Sequence, residues 1–151
     1  IRTMAKLPSD LHLVIVGRQT KYQKKLDAEI KRLGIGERIH FLQGVPNDLL
    51  AAIYNQAEAF IYPSRYEGFG IPIIEAIQSG LPVVAAMGSC LEEAGGPDCL
   101  YVGPDDVDGN AAAILSAIEH RKEIVSKSQR YVKRFENQDV ASQILEVYNK
   151  V

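Results

Sequence analysis

The chain has 151 residues, of which 46% are hydrophobic, 24% charged and 7% aromatic. That length suits one domain burying roughly 68–70% of the surface its unfolded form exposes, so its core needs no metal or disulfide staple. With 17 Lys and Arg against 19 Asp and Glu, the formal net charge of −2 argues against a basic nucleic-acid binder. No apolar run approaches the roughly 18 residues of a transmembrane helix. The opening IRTMAKLPSD lacks the apolar stretch of a signal peptide. Cys90 and Cys99 make neither a disulfide framework nor a Cys/His metal cluster. The expectation is a cytoplasmic α/β domain with reduced thiols.

In chain order, Ile1–Leu7 reads as the end of a helix, and Leu11–Val16 (LHLVIV) as the first strand. Tyr22, Leu26, Ile30 and Leu33 share one helical face, and Gly34 suits the left-handed stop of that helix. A second strand is predicted at Arg38–Leu42, then a helix over Asp48–Gln56 with Asn47 as its cap. Ala59–Tyr62 is the third strand; Pro72 suits the first turn of a helix running to about Ser79 and ended by Gly80. Pro82–Ala86 and Cys99–Val102 complete five strands, with Ser89 and Glu92 spaced as a capping box between them. From Asp106 onward only helical pattern appears, with a break near Asn137. Strand runs without alternation suit strands covered on both faces, and their alternation with helices predicts βα units in a mostly parallel, doubly wound sheet.

The informative stretch is Tyr62–Gly80, YPSRYEGFGIPIIEAIQSG. It follows a buried strand and enters a helix, which places it at the carboxyl edge of the sheet, where open α/β sheets bind ligands. Glu75 lies in a helix apolar almost all round, so it is expected to be largely buried and to need hydrogen-bond donors. The helix dipole relieves only about 0.3–1 kcal/mol of that cost. Glu67 precedes Gly68-Phe69-Gly70; flanking glycines let backbone N–H groups approach a ligand, although a simple tight turn would use the same residues. His12, His40 and His120 have no nucleophile partner at a telling spacing and read as structural or solvated. Asp105, Asp106 and Asp108 read as a helix start and not as a metal cluster.

Glu67 and Glu75 are separated by seven residues. This spacing resembles the E-x7-E motif of retaining glycosyltransferases built from two Rossmann-like domains, the GT-B fold, of the family-4 type. IVG at 15–17, FLQGVPND at 41–48, AFIYPSRYEGFGIPIIEA at 59–76, GLPVVAAMGS at 80–89 and LYVGPDD at 100–106 follow that family's order. The chain resembles its C-terminal, donor-binding half. The resemblance implies that Glu75 accepts hydrogen bonds from the ribose hydroxyls of a nucleotide sugar. It implies that Glu67 is the catalytic carboxylate beside the transferred sugar, and that Gly68, Phe69, Gly70 and Ile71 hold that sugar. Gly44, Val45 and Asn47 match the loop over the base, and Gly17 and Arg18 a strand end facing the same cleft. A UDP-, GDP- or ADP-linked sugar is the implied co-substrate, with no metal or other cofactor. The implied acceptor is a sugar, glycan or lipid-linked sugar, bound through an N-terminal domain.

The family's half normally begins with a strand, a glycine turn and an Arg and Lys that grip the diphosphate, and Ile1–Leu7 corresponds to the end of the helix after them. The expectation is therefore a fragment lacking the first strand and inactive alone, with a gap of one strand between Leu11–Val16 and Ala59–Tyr62, or a strand from another chain in that place. The full-length parent is expected in the cytoplasm, with room for a peripheral position at the inner membrane face. A binder without catalysis and a nucleotide-sugar epimerase of the same fold are the alternatives. A dinucleotide oxidoreductase is disfavoured, since Gly17 is followed by Arg18-Gln19-Thr20 and not by G-x-G-x-x-G.

Overall fold

The computed structural model describes residues 1–136. A 3-10 turn, Arg2–Lys6, leads to β1 (Leu13–Val16), α1 (Gln23–Leu33), a second 3-10 turn and β2 (Ile39–Leu42). Then come α2 (Asn47–Gln56), β3 (Phe60–Tyr62), α3 (Ile71–Gln78), β4 (Val83–Ala86), α4 (Leu91–Gly95) and β5 (Leu100–Val102). The described part ends in α5 (Val107–Glu119), α6 (Arg121–Val132) and a last 3-10 turn. The break expected near Asn137 falls outside the described residues; within them, the helical stretch is already divided at His120, which ends α5 and precedes α6.

Local chemistry explains most boundaries. Gly34 ends α1 in the left-handed conformation (φ 66°), its N–H returning to the last turn. Pro72 occupies the first turn of α3, where its missing N–H costs nothing. The Asp106 carboxylate accepts from Gly109 N at 2.8 Å and so caps α5. Two expected caps differ. Asn47 is inside α2 and makes no cap; Pro46 stands before it in extended backbone, its carbonyl accepting from Leu50 N. Ser89 Oγ accepts from Leu91 N, not Glu92 N, while Glu92 Oε1 reaches back to Gly88 N at 2.6 Å, one residue earlier than a reciprocal box requires.

All strand pairings are parallel, in two separate ladders, β1–β2 and β3–β4–β5. β1 and β3 are not paired with each other, which is the expected opening between them. One apolar layer spans both ladders: Met4, Ile30 of α1, Ile39 of β2, Val84 of β4 and Ile114 of α5 belong to one cluster. The second cluster, built on Tyr54, Ile73, Ile77, Leu91 and Val132, takes nothing from β1 or β2. The sequence expectation of strands covered on both faces therefore holds for β4, all four residues of which are buried, and fails for β1 and β2. Val14 and Val16 are 43% and 40% exposed because, among the described residues, no helix of the second layer covers that face. On the same open face, His12 Nδ1 meets His40 Nε2 at 2.9 Å, so these two histidines are solvated and pair with each other.

One arginine ties the layers. Arg121, opening α6, donates from Nη1 to Ala57 O (2.9 Å) and from Nη2 to Gly80 O (3.1 Å), the turns that lead into β3 and β4.

Candidate active site at the strand ends

The expected site residues all follow strand C-termini. Gly17 continues β1 by one more ladder bond, its N–H donating to Leu42 O at 3.1 Å, and Arg18 follows it, exposed. Gly44 turns the chain after β2 in the left-handed region (φ 62°); Val45 is half-buried and Asn47 exposed at the start of α2. Glu67–Gly70 forms the loop after β3, and Glu75 lies on α3. A cleft of about 520 Å³ is lined by the Ile1–Thr3 turn, by Tyr22 and Lys25 beyond β1 and by Pro104 and Asp105 beyond β5, and none of the expected site residues lines it. The carboxyl ends of both ladders therefore open on the same side.

The two glycines around Phe69 do different things. Gly70 has φ 110°, and a Cβ there would lie 2.8 Å from Leu91 Cδ2 and 3.3 Å from Ala94 Cβ, both on the buried side of α4. No other residue fits that conformation and that contact. Gly68 is not in the left-handed region, and a Cβ there would meet nothing within 4 Å. The space over Gly68 is open to a ligand. Phe69 packs its ring edgewise on Phe135, centroids 5.4 Å apart, so its side chain is structural and its backbone is what the loop can offer. Ile71, at 62% exposure, stands at the mouth of the loop.

Glu67 is exposed, yet held. The Tyr62 hydroxyl, at the end of β3, donates to Glu67 Oε1 at 2.7 Å. Cys90 Sγ, just before α4, donates to the Glu67 carbonyl at 3.2 Å. The Tyr62 bond, helped by the nearby Ser64 hydroxyl, holds the Glu67 carboxyl below the usual carboxylate range, because each donor favours the charged form. Reciprocally, burial and then the Glu67 bond push the Tyr62 phenol up to about 12. Tyr62 therefore remains a donor and Glu67 an anion throughout the neutral range.

Glu75 corrects the sequence reading. It is exposed, as is Gln78, while Ile73, Ala76 and Ile77 carry the buried face of α3. The helix is one-sided, packed on α4 and α6, and Glu75 needs no buried donor of its own. Its charge nevertheless reaches the site: the Tyr54 phenol is raised by burial and then by Glu75, and Tyr54 in turn contributes to the shift of Tyr62. Tyr54 packs edgewise on Phe60, which stacks on Tyr62 (centroids 5.5 and 5.7 Å). Glu67 thus bonds the end of one row of aromatic rings, and the charge of Glu75 is felt at Tyr54, the other end. The sequence reading missed Tyr62, Ser64, Tyr54 and Cys90 as a supporting set. Their signal was faint: Tyr62 ends the strand five residues before Glu67, where an apolar residue would serve the core equally.

The three aspartates after β5 are occupied. Asp105 pairs with Arg65, Asp106 caps α5 and Asp108 pairs with Lys6. Among the described residues, no group of three or more His, Cys, Asp or Glu could hold a metal ion, and no helix is long and apolar enough to cross a membrane.

The chain is 37% identical over 128 residues to the MMP alpha-(1->4)-mannosyltransferase of Mycolicibacterium hassiacum, covering 80% of this chain and 31% of that protein. It is 35% identical over 113 residues to O-antigen chain mannosyltransferase B of Escherichia coli, covering 73% of this chain and 30% of the other. Among solved structures, Anabaena HepE in complex with UDP superimposes with a TM-score of 0.82 at 26% identity, covering 99% of this chain and 43% of that one. Sucrose-phosphate synthase from Thermosynechococcus elongatus gives 0.82 at 26% identity, over 98% and 40%. The chain spans about a third of the length of the curated relatives it matches, and its fold is the Rossmann-like domain of GT-B glycosyltransferases. The family model described as glycosyl transferases group 1 matches residues 1–144, and the chain belongs to that family.

Proposed function

We propose that the chain is the donor-binding half of a glycosyltransferase that moves a hexosyl group from a nucleoside diphosphate sugar to an acceptor with retention of configuration. The observation that carries this reading is the Glu67 carboxylate held by Tyr62 at the end of β3, beside the open space above Gly68 and ahead of the exposed Glu75 on α3. Relatives named as mannosyltransferases and neighbours solved with UDP or UDP-glucose support the donor class.

In this reading Glu75, solvated and free to accept two hydrogen bonds, binds the ribose diol. Gly17, Arg18, Gly44, Val45 and Asn47 border the nucleotide, and Gly68–Ile71 the sugar. As the diphosphate leaves, positive charge develops at the anomeric carbon. Glu67, kept ionised, stabilises that charge and orients the sugar; an anion at neutral pH is not a general acid. The leaving diphosphate is met by side chains and backbone N–H groups without a metal.

Ligand-observed NMR of the chain with UDP, GDP and ADP, followed by calorimetric titration of two variants, tests the assignment. Glu75→Ala is expected to weaken nucleoside diphosphate affinity by about tenfold or more, since a hydrogen bond to a charged group contributes about 1.5–3 kcal/mol. Glu67→Ala is expected to leave that affinity intact and to lower turnover of the sugar donor in the full-length protein. Equal loss of diphosphate affinity in both variants would sink the division of roles.

A further inference from the structure

Glu67 is exposed and sits on a loop, a poor place to hold a carboxylate in one geometry. Its environment supplies two hydrogen bonds from outside the loop, with a hydroxyl of the loop nearby. Tyr62, fixed at the end of β3 by stacking on Phe60, donates to Oε1 at 2.7 Å. Ser64, on the same loop, offers a second hydroxyl. Cys90, leading into α4, holds the Glu67 carbonyl at 3.2 Å. The loop backbone is pinned from one side and the carboxylate from another.

We propose that Tyr62 is the positioning residue of this site: its phenol fixes Glu67 by one oxygen, leaving the second oxygen directed to the donor sugar. The inference rests on the transferase reading above for the identity of that sugar, but not for the contact itself. A phenylalanine at this position would stack on Phe60 and fill the same core space. The hydroxyl adds nothing to that packing, and its one bonded partner among the described residues is the Glu67 carboxylate. The groups facing the pair are Tyr54 from α2, the Cys90 thiol before α4 and Ser64 on the loop itself; none carries a positive charge, so donors alone hold Glu67 ionised. Removing the Tyr62 donor removes the first of them.

Tyr62→Phe is the test, with Ser64→Ala and Glu67→Gln beside it. In the chain carrying ¹³C-labelled glutamate, NMR titration of wild type and Tyr62→Phe reads the Glu67 carboxyl directly. The expected result is an upward shift of the Glu67 midpoint in Tyr62→Phe and a smaller one in Ser64→Ala. In the full-length protein, assayed with a nucleoside diphosphate hexose, kcat is expected to fall about tenfold or more in Tyr62→Phe with KM for the donor little changed. The acid limb of its pH–rate profile is expected to move up with the NMR midpoint. An unmoved Glu67 titration, or a kcat within twofold of wild type, overturns the proposal. So does a KM rise that matches the kcat loss, since that marks a loop fault and not a lost restraint. If the titration moves while Glu67→Gln leaves transfer unchanged, the contact stands and the role of Glu67 in transfer falls.

Discussion

Gly70→Ala isolates the contact that aims the Glu67 loop into α3. The substituted residue would have to hold φ 110° and ψ 40°, where a side chain costs about 1–3 kcal/mol. Its Cβ would also press Leu91 Cδ2 at 2.8 Å and Ala94 Cβ at 3.3 Å. Leu91 and Ala94 are both 0% exposed, so neither has free space to move into, and overpacking of this kind costs about 1–3 kcal/mol. The sum is about 2–6 kcal/mol, and even 3 kcal/mol would lower Tm by roughly 6–12 °C in a chain of this size. Gly68→Ala is the internal control, with open space at its Cβ, and should lie within about 0.5 kcal/mol of wild type. Urea unfolding followed by circular dichroism measures both. The reasoning is refuted if Gly70→Ala is as stable as wild type, or if Gly68→Ala loses as much. A further contrast follows from the same geometry: Gly68→Ala should stay folded yet bind the nucleotide sugar less well, because its methyl group enters the space left for the sugar.

Arg121→Met should cost about 2–3 kcal/mol in urea unfolding, because it leaves the Ala57 and Gly80 carbonyls without their charged donor. Glu75→Ala should leave stability within about 0.5 kcal/mol, since the side chain is exposed; a larger loss would restore the buried reading of that helix. Of the two free thiols, Cys90 should react first with a disulfide reagent at pH 8. Burial pushes the Cys99 thiol up to about 11 and so keeps it protonated there, and equal rates would contradict this. The unpaired edges of β1 and β3 should favour self-association, seen as concentration-dependent elution. A monomer at all concentrations would count against those edges being adhesive.

Much of the fold is legible locally. Gly34, Pro72 and Asp106 mark their helix boundaries through backbone chemistry that operates within a few residues. The five strands appear as apolar runs because a strand's identity lies in its own composition. What escaped the sequence depends on what lies opposite. IPIIEAIQ has too few polar positions to reveal which side faces the core, so Glu75 looked buried until α4 and α6 were seen to cover only the other side. LHLVIV and RIHFL read as strands, but their open face follows from the second helical layer ending at β3. The glutamate pair was visible as spacing. The restraint on Glu67 was not, because it joins a strand end, a loop and the approach to a distant helix.

The division of the strands into two ladders bears on how the molecule breathes. Among the described residues, no backbone hydrogen bond joins β1–β2 to β3–β5, and one helical layer bridges them. Amide hydrogen exchange should therefore resolve two cooperative units. β4, buried along its whole length, should lie in the slow unit, and β1–β2, with one face in water, in the fast unit. The loops ending in Gly17 and Gly44 ride on the fast unit, whereas Glu67, Gly70 and Glu75 ride on the slow one. A ligand touching both must still the looser half, so part of its binding energy is spent on ordering. Its clearest signature is slowed exchange at Leu13 and Ile39, the ends of β1 and β2 away from Gly17 and Gly44.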